Sequence, residues 1–154
     1  MRKMTNESKQ LTLEETKQIL SQGEIGVLAT VDQEGQPYGV PLNYVYTQGA
    51  IYFHGALEGH KLDNIRDNDR VSFTVIGKAE VVPQQFTTHY ESVILFGKAT
   101  VVADEAEKVQ AMSEVVKKYS PEFLERGIQM VERGLSQFHI VRLDISHMTG
   151  KRNG

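Results

Sequence analysis

The sequence has no cysteine. That removes disulfides, thiolate metal sites, iron–sulfur clusters and a cysteine nucleophile together. Long apolar runs are also missing. Stretches such as Ser92–Phe96 fall far short of the roughly 20 residues a membrane-spanning helix needs. Met1–Gln10 is polar and lacks the apolar segment of a secretory signal, so a cytoplasmic protein with no membrane partner is expected. Neither sign of charge dominates: Lys+Arg 17 against Asp+Glu 20 leaves a net charge of -3. Such a balance gives a nucleic acid no reason to bind. Motifs are missing as well. There is no Gly-x-Gly-x-x-Gly or Walker A run, so neither a dinucleotide site of the doubly wound type nor a P-loop is available. Ser92, Ser113 and Ser136 lack a nucleophile elbow. His89, His139 and His147 show no metal-ligand spacing, and no metal is expected.

What is present reads as one folded domain over residues 1–154, with residues 1–10 as a flexible arm. Hydrophobic residues make up 40% and charged residues 24%, ordinary values for a globular chain of this length. Thr12 caps a first helix, with Glu15 at the reciprocal position of a capping box. Leu13, Lys17 and Leu20 share one face of that helix, and Gly23 stands where a left-handed C-cap would sit. From Ile25 the period shortens. Ile25–Val31, Tyr38–Tyr46 and Ala50–His54, separated by turn-rich segments, read as a three-strand meander. Pro41 inside the second run marks an edge strand, or a backbone that faces something other than a neighbouring strand.

His60–Asp67 reads as a short helix. Val71–Ile76 and Glu91–Ala103 read as further strands, the second bent or bulged at Gly97. Asp104 with Glu107 predicts another capping box. It opens a helix whose stripe Val109, Met112, Val116 and Tyr119 is core or subunit contact, with Glu114, Lys117 and Lys118 on a solvated face. Pro121 precedes a helical piece at Glu122–Arg133. Phe138–Ile145 reads as the last strand and His147–Gly154 as a polar tail. Six strands, mostly adjacent in sequence, with three or four helices imply an α+β, mainly β fold. The expected architecture is a six-stranded antiparallel split β-barrel with peripheral helices.

The stretch Tyr52-Phe53-His54-Gly55-Ala56-Leu57-Glu58-Gly59-His60-Lys61 carries the most chemistry. A strand ends, a loop containing glycine follows, and a helix opens with His60 and Lys61. Free backbone N–H groups at a helix start attract anions, and Lys61 adds a full charge, so a phosphate fits. On the residues alone, a solvated basic residue at a tight turn explains the pattern equally well. His54 likewise reads either as a hydrogen-bonded packing histidine, the commoner case, or as a group beside a cofactor.

The runs Tyr38-Gly39-Val40-Pro41-Leu42-Asn43-Tyr44-Val45-Tyr46, Ile51-Tyr52-Phe53-His54 and Gly59-His60-Lys61-Leu62-Asp63-Asn64-Ile65 resemble the pyridoxamine 5'-phosphate oxidase-like flavin proteins. The closer match is their nitroimidazole-resistance (Nim) branch. Val81-Val82-Pro83, Tyr90–Lys98 and His147-Met148-Thr149-Gly150-Lys151 extend the resemblance to nearly the whole chain.

The resemblance implies a split-barrel homodimer with FMN at the subunit interface, acting as an FMN-dependent oxidoreductase on nitroaromatic (5-nitroimidazole-like) or similar small acceptors. An FMN oxidase or reductase of another small substrate, or a flavin-binding protein without turnover, remains open beside it. The family's phosphate-contacting run maps onto Gly59, His60 and Lys61, and the strand lining the flavin ring onto Val40, Pro41, Leu42 and Asn43. Phe53, Ser92, Thr149 and Lys151 complete the implied cofactor set. His54 takes the place of the histidine beside flavin and substrate, where it would act catalytically. True pyridoxamine phosphate oxidases carry a C-terminal motif with Arg and Trp. Trp is 0 here, so vitamin B6 oxidation is not implied.

Overall fold

The computed structural model describes all 154 residues, Met1–Gly154. In chain order its elements are α1 (Leu13–Gln22), β1 (Ile25–Val31), β2 (Pro37–Asn43), β3 (Val45–Thr47), β4 (Ala50–Gly55), α2 (His60–Asp67), β5 (Arg70–Val82), β6 (Thr87–Val101), α3 (Glu105–Tyr119), α4 (Leu124–Arg133) and β7 (His139–Asn153). Seven strands form one sheet in the order β2-β1-β5-β6-β7-β4-β3, and every pairing is antiparallel.

That order contains the barrel. β2 and β3 lie at opposite edges of the sheet, yet only Tyr44 separates them along the chain. The sheet must therefore curl until its two edges come near one another, without being hydrogen-bonded into closure. Tyr44 makes the corner. Its ring is 1% exposed and meets Phe73 edge-on at 5.0 Å. Its hydroxyl donates to the Leu20 carbonyl at 2.5 Å, and its N–H donates to the Tyr119 hydroxyl at 3.1 Å.

This corner overturns the expected three-strand meander and raises the strand count from six to seven. The run Tyr38–Tyr46 is one apolar stretch in sequence, but burying Tyr44 breaks it into two strands that pair with different partners. β2 is an edge strand, which accommodates Pro41.

Inside the curled sheet lies the main core, including Leu28, Phe53, Phe73, Val93, Leu95 and Leu143. α2 sends Leu62 and Ile65 into that core. Its buried Asn64 donates to the Thr30 hydroxyl at 3.0 Å, fixing α2 against β1. α1 begins with the expected capping box between Thr12 and Glu15. Its buried face is Thr16, Ile19 and Leu20, while Leu13 stays exposed. Gly23 is extended rather than left-handed (φ -65, ψ 141). A side chain there would collide with the Tyr44 hydroxyl and with Val75, so close packing is what requires glycine.

The outer face of β3, β4 and β7 is covered by α3 and α4, which enclose a second core of Val45, Tyr52, Met112, Val131 and Ile140 among others. Of the α3 stripe, Met112 and Val116 serve this core, while the Tyr119 hydroxyl bonds the backbone of Tyr44. Asp104 caps α3 through the Glu107 N–H at 3.2 Å, but no reciprocal bond forms. The Glu107 carboxylate instead accepts from the Tyr52 hydroxyl at 2.7 Å and from Arg142 at 2.9 and 2.7 Å. Lys118 is not on a solvated face. Its ammonium donates to the carbonyls of Gly23 and Tyr44 and lies 4.2 Å from the Tyr44 ring centroid.

The expected polar tail is strand. β7 continues to Asn153, pairing Ser92 with Lys151 and Tyr90 with Asn153. The register slips between Phe96 and Gly97, where an irregularity was expected, but the extra residue is Ser146 on β7, since Phe96 pairs with His147 and Gly97 with Ile145. No helix is long and apolar enough to cross a membrane.

Candidate functional site

The expected site residues fall into two patches. The first gathers at the start of α2. Gly59 is the N-cap and no side chain caps the helix, which leaves the first-turn N–H groups free of an intrahelical partner. No atom lies within 4 Å of where a Gly59 side chain would point, so the approach is open. The His60 ring stacks on Tyr38 at 4.0 Å, with 27° between planes. This ties the helix start to β2. Lys61 crosses over Gly55 at the end of β4, where a Cβ would stand 3.2 Å from its ammonium. Helix amides, a lysine and an imidazole thus converge, a donor set suited to a phosphate.

His54 stands beside this cluster. It is exposed on β4, on the face opposite the buried Phe53. Partial desolvation of the ring, and then the charge of Lys61, hold its pKa below the ordinary histidine value of 6.5.

On β2 the side chains alternate. Val40 and Leu42 pack against the main core, whereas Pro41 and Asn43 face out. Phe53 is 1% exposed inside that core, so its side chain faces no ligand.

The second patch holds Ser92, Thr149 and Lys151. They share the outer sheet face, since Ser92 pairs with Lys151 and Ile94 with Thr149. β6 is three strands from β2 and β7 is four. At about 4.8 Å per strand, the second patch is on the order of 14–19 Å from Pro41 and Asn43. Within one chain the structure does not bring the two patches together.

Sequence reasoning missed a groove beside His54. It lies between α3, α4 and the end of β4, has a volume of about 680 Å³, and is walled by Met112, Val116, Phe123, Met130 and Phe138. Arg126 stands on its lining too. The signal available was the placement of Phe123 and Met130, 58% and 67% exposed, beside the charged positions of α4. No motif marks them. A larger cleft of about 820 Å³ opens around the β6–β7 register slip, with Asp69, Arg70, Lys98 and Asp144 on its walls. It contains none of the expected site residues and mixes both charge signs.

No curated protein matches the chain. Among solved structures it is similar to a candidate 5-nitroimidazole antibiotic resistance protein from Bacteroides thetaiotaomicron, at 23% identity and TM-score 0.75, over 93% of this chain and 86% of that one. It is also similar to a FAD-binding protein from Mesorhizobium loti, at 23% identity and TM-score 0.69, over 95% and 98% of the two chains. A third likeness is to HutZ, the haem storage protein of Vibrio cholerae, at 20% identity and TM-score 0.68, over 91% and 94%. At these identities the likeness is one of fold. Residues 12–152 match the family model described as pyridoxamine 5'-phosphate oxidase, and the chain belongs to that family.

Proposed function

We propose that this protein binds a flavin, FMN, and uses it to reduce small nitroaromatic or similar acceptors. The observation that carries the reading is the open, uncapped start of α2, with Lys61 and His60 on it, next to an exposed histidine and an apolar groove. Family membership and the fold shared with a FAD-binding protein and a candidate nitroimidazole-resistance protein support it.

The residues fit the group. Gly59, His60 and Lys61 would hold the phosphate, and Pro41 and Asn43 face outward from the nearby edge strand. Ser92, Thr149 and Lys151 lie on the outer sheet face, on the order of 14–19 Å from Pro41 and Asn43 by strand count. A homodimer in which this second patch of one copy meets the first patch of the other accounts for both. When bound, the flavin supplies the electron transfer. The chain positions it, excludes water along the apolar groove, and offers His54 as a hydrogen-bond or proton donor to the acceptor. Oxidation of pyridoxamine phosphate is not proposed. Arg152, the arginine near the C-terminus, is committed to Glu91 at 2.8 Å and Glu15 at 2.9 Å.

The test begins with the absorption spectrum of the purified protein and the identity of the cofactor it releases. A yellow protein yielding FMN, reduced anaerobically and reoxidised by metronidazole, supports the proposal. Bound FMN without reoxidation by any nitroaromatic points to storage or another substrate. A haem spectrum without flavin overturns the reading.

A further inference from the structure

The groove beside His54 has a composition that the flavin reading does not use. It is lined by 12 residues, of which none is aspartate or glutamate. Arg126 is the one lysine or arginine on that lining, and it is exposed. Arg126 sits on the wall with no carboxylate within ion-pair distance and no hydrogen bond to any protein acceptor. Arg126 also lines a neighbouring depression together with Glu122 and Glu125, without an ion pair to either. At the opposite side of the groove, His54 already feels the charge of Lys61.

The remaining surface is apolar and partly flat: Phe123 and Phe138 are aromatic, and Met112 and Met130 are the adaptable thioethers that pack against rings. An unpaired guanidinium facing an apolar slot is a fork without a carboxylate, and bidentate pairing is what its planar donors favour. A concave apolar slot with a few polar groups is the usual form of a small-molecule site.

We infer that this groove binds a planar aromatic or heteroaromatic acid, its ring between α3 and α4 near His54 and its carboxylate on Arg126. The proposal deepens the reductase reading by naming the acceptor class, and it rests on that reading only for turnover. Arg126 is here a specificity-determining residue.

The experiment uses the purified protein with whatever cofactor it carries. Binding of 4-nitrobenzoate and of neutral 4-nitrobenzamide is measured by calorimetry for the parent, Arg126→Gln and Arg126→Lys. The parent should prefer the acid by about tenfold or more, the scale of one charge-assisted hydrogen bond. Arg126→Gln should erase the preference while leaving amide binding unchanged, and Arg126→Lys should restore part of it. Where turnover is seen, Arg126→Gln should raise KM for the acid and leave kcat unaltered. Equal binding of acid and amide by the parent, or a preference that survives Arg126→Gln, overturns the assignment. Selective binding of the acid without any reduction upholds the groove and overturns the reductase reading instead.

Discussion

His54 is governed by two effects that act in one direction. Partial desolvation disfavours the imidazolium, and Lys61 repels it, so the folded-state pKa lies below 6.5. Between the folded and unfolded values the unfolded chain binds more protons. His54 therefore contributes stability that is present above its unfolded pKa and lost as pH falls through the folded one. Replacing Lys61 by Met should move the His54 pKa part of the way back toward 6.5, because the desolvation remains. Titration of the ring protons by NMR reads this directly, and an unchanged pKa would separate Lys61 from His54. The same lysine carries the phosphate assignment. Lys61→Ala should weaken FMN binding by about 1.5–3 kcal/mol, measured by fluorescence titration of the released cofactor. The role of His54 has its own readout: His54→Ala should keep FMN and slow reoxidation of the reduced protein by metronidazole by on the order of 10²–10⁴. Equal rates would make it a packing residue.

Lys118 shows how one residue can serve a structural end that its sequence position hides. On α3 it follows Lys117, which makes a solvated pair with Glu114 at 3.2 Å. One position further round the helix, the Lys118 ammonium is turned inward over the Tyr44 ring and onto two carbonyls. Burial pushes its pKa down. Lys118→Met keeps the stem but removes the donors, leaving the Gly23 carbonyl short of a partner while the Tyr44 carbonyl keeps the Tyr119 hydroxyl at 2.6 Å. A loss of about 1–3 kcal/mol is expected in chemical denaturation at fixed protein concentration. A neutral result would mean water replaces the ammonium.

At the scale of elements, legibility followed local signals. β1 and α2 match their expected bounds because an apolar run and a short amphipathic turn are both bounded by polar or glycine-containing segments. The place of the irregularity, at Gly97, was legible from glycine inside a long strand, but its extra residue, Ser146, sits on β7. What escaped had non-local causes. Tyr44 breaks one apolar run because its ring is needed in the core against Phe73 and its hydroxyl at Leu20, contacts that no window of sequence reveals. The end of β7 escaped because its residues are mostly polar, and the end of β5 because Gly77 interrupts it and Ala79 and Val81 are exposed, although both pair along β6. Within the site, the start of α2 was legible as an anion-binding pattern. The α3–α4 groove was not, since it arises only when two helices pack. Gly97 offers an element-scale check. A Cβ there would run into the Asp144 carbonyl of β7, backbone that cannot step aside. Gly97→Ala should therefore cost about 3 kcal/mol, the upper part of the overpacking range, read as a lowered urea midpoint.

At the scale of the molecule, the outer sheet face is what the fold leaves uncovered. Pairing registers align Pro41, Val27, Thr74, Ile94 and Thr149 in one row across five strands. Val27 and Ile94 are 41% and 43% exposed, with Ile25 and Ile76 at 58% and 63% nearby. Contiguous apolar surface of this kind marks an interaction face. Met112 and Val116 of the α3 stripe are taken up by the second core, so this face, which carries Ser92, Thr149 and Lys151, is the one the proposed second copy would use. If the FMN sites are completed across that contact, self-association and FMN retention must rise and fall together. Ile94→Lys tests the coupling. An ammonium forced into an apolar contact should weaken self-association by on the order of 100-fold, while the exposed position leaves the barrel core intact. Sedimentation should then show the parent at twice 17.3 kDa and the variant shifting toward monomer. The variant should keep its circular dichroism and lose FMN on dilution. A parent that sediments as a monomer removes the dimer, and a monomeric variant that holds FMN as tightly as the parent would place the whole flavin site within one chain.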